Sequence, residues 1–190
     1  MPGYLFADNK MVNAAWGLVV LMILNGCSVD NGPSEKALEE ATQGKTASLS
    51  IHELDPRHEQ ERIMTKAVSE NDLPPGTLLS WDMNAQPFLL RAKTNITEKC
   101  LSRARASQHP EGFETAVIFF QFNDDCTARF AELTQENLGK RLAIVMNGEV
   151  ASAPYIRVPI MKGAGYVESG FDLDEAREIA FLLNKAAKSE

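Results

Sequence analysis

Three histidines, His52, His58 and His109, are the side chains best suited to hold a metal or move a proton near neutral pH. They are scattered among polar neighbours. No His-x-x-x-His or His-Glu-x-x-His spacing sets two of them on one helix face, so no zinc site is expected. The chain also lacks a Gly-x-Ser-x-Gly elbow, a Gly-Lys-Ser/Thr phosphate loop and a Gly-x-Gly-x-x-Gly run before a helix. Gly163-Ala164-Gly165 comes nearest to a phosphate cradle, yet it has neither the lysine nor the following helix and reads as a turn before a strand. Asp124-Asp125 is an adjacent acid pair. Paired carboxylates that cleave glycosides must face each other across a cleft, whereas these two open a helix, where capping accounts for them. Glu132, Glu136, Glu175 and Glu178 fall on polar helix faces and read as solvated. The pattern points away from an enzyme, and no metal or cofactor is expected.

The chemistry that remains belongs to the cysteines. Ala14 to Leu24 is an apolar run, too short for the roughly 20 residues that a spanning helix needs but of the size of a signal-peptide core. Leu24-Asn25-Gly26-Cys27 follows it and resembles a bacterial lipobox, in which the cysteine thiol is acylated and becomes the new N-terminus. Residues 1–26 are therefore expected to be a signal peptide, Cys27 a lipid attachment site and residues 27–47 a flexible tether. Ser28, at the second mature position, favours the outer membrane over retention at the inner one. The net charge of −7 argues against nucleic acid or an anionic membrane surface as partner, since both attract basic patches.

These positions need elements to hold them. Ser48 to Leu54 alternates as a first strand, and Arg57 to Glu70 carries Ile63, Met64, Ala67 and Val68 at helical spacing before Pro74-Pro75-Gly76. Leu78 to Trp81 and Phe88 to Arg91 read as short strands around a turn. Cys100 to Ser107 and Ala116 to Phe122 read as a hairpin centred near Glu111. A helix follows, opened by Asp124 or Asp125 and closed by Gly139. Leu142 to Met146 is then a strand, Asn147-Gly148 a type I′ turn, and the return strand is antiparallel. Pro154 and Pro159 bracket an irregular arm, Tyr166 to Glu168 is a last short strand, and Asp172 with Glu175 forms a capping box. Ala176, Ile179, Ala180, Leu183 and Ala187 make one apolar stripe behind it. The expectation is an α+β two-layer sandwich over residues 48–187, an antiparallel sheet with two main helices on one face.

The run FAELTQENLGKRLAIVMNGEVASAP resembles the head subdomain of the first periplasmic region of SecD, the auxiliary subunit of the bacterial Sec export machinery. SLSIHELD, Pro74-Pro75-Gly76, PFLLRA and VIFFQF fall in that family's order upstream. Ser169-Gly170-Phe171 and Asp174-Glu175-Ala176 follow it downstream, so the resemblance covers Leu49 to Leu183. It implies a ferredoxin-like fold and a place in protein export on the periplasmic side. In SecD the work of translocation is attributed to proton flow through membrane spans that move the head. Without spans or a nucleotide motif, this chain is expected to bind and not to pull.

In an oxidising envelope Cys100 and Cys126 form a disulfide candidate, with two unpaired buried thiols as the alternative. The last clue is apolar surface. Ile118, Phe120 and Phe122 share one face of their strand while Val117 and Phe119 share the other, although a sheet covered on one side usually shows polar residues on its free side. Tyr155, Ile156, Val158, Ile160 and Met161 form a second apolar cluster on the arm. The expected function is an envelope module that contacts polypeptide or a Sec component through these residues, reaching the membrane by its lipid alone. The alternative is a structural or regulatory lipoprotein that keeps the fold without an export role. A hairpin around Trp81 and Phe88 that simply covers both patches is the plainer expectation.

Overall fold

The computed structural model describes residues 32–58, 73–109, 113, 115–168 and 170–189. The signal segment, Cys27 and most of the helix expected over 57–70 lie outside the described residues.

The class is α+β, with antiparallel strands and three helices among the described residues. The strands fall into three sheets instead of one. The largest has four strands in the order β4 (Ile96–Thr97), β1 (Leu49–Glu53), β7 (Leu142–Met146), β8 (Glu149–Ser152). A hairpin of β2 (Thr77–Trp81) and β3 (Pro87–Arg91) stands beside it. The third sheet runs β5 (Leu101–Gln108), β6 (Ala116–Phe122), β9 (Ala164–Glu168). The helices are α1 (Glu35–Ala41), α2 (Asp124–Glu136) and α3 (Leu173–Lys188). None of the described helices is long and apolar enough to cross a membrane.

β7 explains the arrangement. All five of its residues are buried, because each of its faces has its own cover. Leu142, Ile144 and Met146 enter the main core with Leu49, Ile51, Phe120, Phe122, Phe130 and Leu183. Ala143 and Val145 enter a second, smaller core with Phe88, Leu90 and Val150. The β2–β3 hairpin therefore covers the outer face of β7, not the patches on β6 and the arm. Asn147 and Gly148 take φ of 52° and 87°, the positive pair that a type I′ turn demands. The Asn147 side chain also accepts the Ser48 amide at 2.9 Å, which ties the turn to the start of β1.

The helix ends follow local chemistry. The N-cap of α2 is Asn123, whose side chain accepts the Cys126 amide. Asp124 and Asp125 instead occupy the first turn, where their charge suits the helix dipole. The helix closes at Asn137, and Gly139 takes its positive φ two residues later. The Asp172–Glu175 capping box of α3 is complete in both directions. Ala176, Ala180 and Leu183 of its stripe are fully buried against the third sheet.

Candidate functional site

The three histidines sit in the interior, unlike the polar surroundings that their sequence neighbours suggest. All three are buried, each with a structural partner. His52 Nδ1 donates to the Arg91 carbonyl at 2.8 Å, and Nε2 sits 2.9 Å from Ser50 Oγ. His58 Nδ1 receives the Leu89 amide and its ring stacks on Phe88. His109 Nε2 lies 3.0 Å from a Glu168 carboxylate oxygen, with Phe113 edge-on to the ring. No group of metal-ligating side chains occurs among the described residues.

A cavity of about 570 Å³ opens between β1, β3 and α2, walled by Glu53, Asp55, Arg91, Lys93, Arg129 and Glu132. Two of its acids are paired: Arg91 reaches Glu53 at 3.6 Å, and Arg57 grips Asp55 with two guanidinium nitrogens. Hydrogen bonds from Arg57 hold the Asp55 carboxyl down at about 2. Asp55 therefore stays ionised near neutral pH and is no proton donor.

Cys100 and Cys126 are joined, with Cα atoms 5.5 Å apart. The link ties the short 3₁₀ turn (Glu98–Cys100) before β5 to the first turn of α2. A backbone bond from Asn123 N to the Cys100 carbonyl at 2.8 Å runs beside it.

The apolar candidates divide. Val117 is fully buried: it stands in register between Ser107 and Glu168, and the His109–Glu168 pair closes that end of the sheet. Phe119 is half-buried between Arg105 and Tyr166. The Arg105 guanidinium lies 6.0 Å from the Phe119 ring, and the Tyr166 ring 5.7 Å. This face of β6 is largely occupied by its own neighbours.

The arm is different. It runs from Ala153 to Gly163, from the segment after α2 back to the helix's first turn, and is held at several points along it. Ile156 exchanges backbone bonds of 2.8 Å with Gly139 and Lys140. The Ile160 amide donates to the buried Thr134 hydroxyl at 2.9 Å. Gly163 has a φ of 59° and lies so close to Thr127 that an added Cβ would sit 2.1 Å from its hydroxyl oxygen. Ile156 is buried and Ile160 half-buried, so these two are anchors and not contact residues. Tyr155, Val158 and Met161 remain, 59%, 68% and 67% exposed. Their spacing of three puts an apolar side chain outward at each step, between residues held inward.

The arm contains no carboxylate, and Arg157 and Lys162 on it are exposed. Lys140 and Arg141 lie alongside, the latter donating Nε–H to the Ala153 carbonyl at 2.8 Å. Arg141 is also sandwiched between the Phe88 ring at 5.3 Å and the Tyr155 ring at 5.8 Å. Sequence pattern had named the arm as apolar. What it could not separate were the residues facing in from those facing out, since an irregular segment has no period to read.

Similarity to known proteins bears on this surface. Residues 75–187 match the family model for the SecDF P1 head subdomain. Protein translocase subunit SecD of Rickettsia bellii is 33% identical over 140 residues, covering 74% of this chain and 26% of that protein. SecD of Calditerrivibrio nitroreducens is 27% identical over 150 residues, with 74% and 28% covered. The chain thus spans about a quarter of the length of these relatives. Among solved structures, SecDF, described as a membrane component that enhances protein export, superposes with a TM-score of 0.55 at 26% identity, over 81% of this chain and 70% of that one. SecDF in a super-membrane-facing form gives 0.54 at 26% identity, over 80% and 21%. With more than half its length inside the matched region and the α+β fold in common, the chain belongs to the SecDF P1 head subdomain family.

Proposed function

We propose that this protein is a periplasmic binding module of Sec-type export, tethered to the envelope by lipid on Cys27, that holds polypeptide on its Pro-bracketed arm. One observation carries the reading. Tyr155, Val158 and Met161 stand exposed on a segment that is otherwise fixed by backbone bonds and buried anchors. Exposed apolar clusters are uncommon on monomers and mark contact sites, and a segment already ordered loses little entropy when it binds. The family supports the export setting. The matching relatives are translocase subunits, and a related structure is described as enhancing protein export.

Photo-crosslinking in cells tests this. A benzoylphenylalanine in place of Tyr155 should crosslink to a defined precursor during export, and the same residue at Lys36 on α1 should not. Equal labelling at both places, or none at either, would favour the structural lipoprotein. The tether has its own test. Intact mass and membrane fractionation should differ between the wild type and Cys27→Ser. Two forms equally free of the membrane, with unprocessed N-termini, would remove the lipid from the account.

A further inference from the structure

The proposed polypeptide site has a charge character that the chain as a whole conceals. The protein carries a net charge of −7, yet Ala153 to Gly163 holds two cations and no acid. Several cations elsewhere are paired, Lys45 with Glu178 at 2.8 Å, Arg57 with Asp55 at 2.6 Å, Arg177 with Asp174 at 3.0 Å and Arg91 with Glu53 at 3.6 Å. Lys93, Arg103, Arg105 and Arg129 have no carboxylate partner among the described residues, so what marks the arm is two cations on a segment without an acid. Among the described residues no carboxylate pairs with Lys140, Arg141, Arg157 or Lys162. Lys140 and Arg141 are engaged by backbone carbonyls of Glu136 and Ala153. Arg157 and Lys162 are exposed and stand one residue from the exposed Val158 and Met161.

From this juxtaposition, we infer that the arm selects extended apolar segments that carry carboxylates, and that Arg157 and Lys162 set the preference. The inference rests on the polypeptide-binding reading above and names the class of segment that reading left open. Apolar side chains of the ligand lie against Tyr155, Val158 and Met161, while its Asp or Glu residues meet the two free cations. Charges of this kind bring specificity and faster encounter more than raw affinity. An acidic protein surface around a basic strip also repels acidic ligands everywhere except at the strip, which directs encounter to it. A segment rich in lysine meets the opposite arrangement: repelled at the arm and attracted to the rest of the surface.

The experiment uses the full chain and three labelled short peptides, leucine–glutamate, leucine–glutamine and leucine–lysine, read by fluorescence anisotropy. The glutamate peptide should bind about tenfold tighter than the glutamine one, as expected for two exposed charge contacts. That margin should shrink toward none near 1 M salt, where the screening length falls to about 3 Å. Arg157→Gln with Lys162→Gln should abolish the margin, and Arg157→Glu with Lys162→Glu should transfer the preference to the lysine peptide, at unchanged melting temperature. Binding that ignores peptide charge would overturn the inference and leave the polypeptide site standing. Binding of no peptide would remove that site as well. Vesicles of anionic phospholipid that bind through the same two residues, while peptides do not compete, would overturn it in favour of a lipid surface.

Discussion

The far face of β6 and the arm look alike in sequence, and the fold treats them in opposite ways. Both present bulky apolar side chains where polar ones were due. On β6 each such residue has a neighbour fixed by strand register, so Val117 disappears between Ser107 and Glu168 and Phe119 is flanked by Arg105 and Tyr166. On the arm, among the described residues, pairing is limited to a bridge between Tyr155 and Arg141. Burial there depends on individual bonds to α2 and to the segment after it, and these draw in Ile156, Ile160 and Gly163 while the side chains of Tyr155, Val158 and Met161 stay outward. A sheet covers what its register brings together, whereas a pinned irregular segment covers only what its anchors reach.

Substitution at Val117 gives the largest effect. Val117→Asp places a carboxylate at a site with no solvent access, costing on the order of 3–5 kcal/mol. Thermal melting should show a fall large enough to leave little folded protein at 37 °C. A variant that melts like the wild type would mean that this face opens readily, and would restore β6 as a contact surface.

The Cys100–Cys126 link comes next, because it holds the start of the third sheet against the helix that carries the arm. Closing a loop with a sequence separation of 26 stabilises by roughly 3 kcal/mol through the unfolded chain. Replacing both cysteines by serine should lower the melting temperature, yet leave peptide binding per folded molecule unchanged, since the arm's own anchors remain. Loss of binding at full folding would show that the arm depends on the link for its shape.

A finer cut separates the arm from its anchor. Thr134 is fully buried; its hydroxyl donates to the Ala131 carbonyl at 3.0 Å and accepts the Ile160 amide at 2.9 Å. Thr134→Val keeps the shape and leaves that amide without its acceptor, at a cost of about 1–3 kcal/mol. Hydrogen exchange should then accelerate at Ile160 and its neighbours while the β7 amides stay protected. Unchanged exchange at Ile160 would mean that the arm is held by packing alone.

Much of this was legible from residue order, and the illegible part has a physical cause. β7, the Asn147-Gly148 turn and the Asp172–Glu175 box follow local rules, so their residues announce them. The family resemblance rests on that same stretch. The division into three sheets does not follow from local rules, because nothing within β2 or β3 says which face of β7 they will cover. The α2 cap falls one or two residues before the Asp124 or Asp125 that the sequence suggests, since Asn123, Asp124 and Asp125 are all good caps and Asn123 is the one with extended backbone. The histidines appeared polar from their sequence neighbours, but their true neighbours, Arg91, Leu89 and Glu168, are distant in the chain.

Tyr155→Ser carries the smallest change in stability and the most direct consequence for function. The ring is mostly exposed, and the interaction it has to lose is its contact with Arg141 at 5.8 Å, worth about 0.5–1 kcal/mol at an exposed position. The backbone bridge between Arg141 and Tyr155 does not involve the side chain and should survive. Melting should therefore move by no more than a few degrees. Binding of the leucine–glutamate peptide should nevertheless weaken about tenfold, because an aromatic anchor at the centre of a contact carries much of its energy. Val117→Ser should show the reverse, reduced stability with binding per folded molecule intact. If Tyr155→Ser unfolds the protein, the ring is structural and the arm is no docking strip. If it neither unfolds nor weakens binding, polypeptide is held elsewhere, and the contrast between the two regions is one of burial alone.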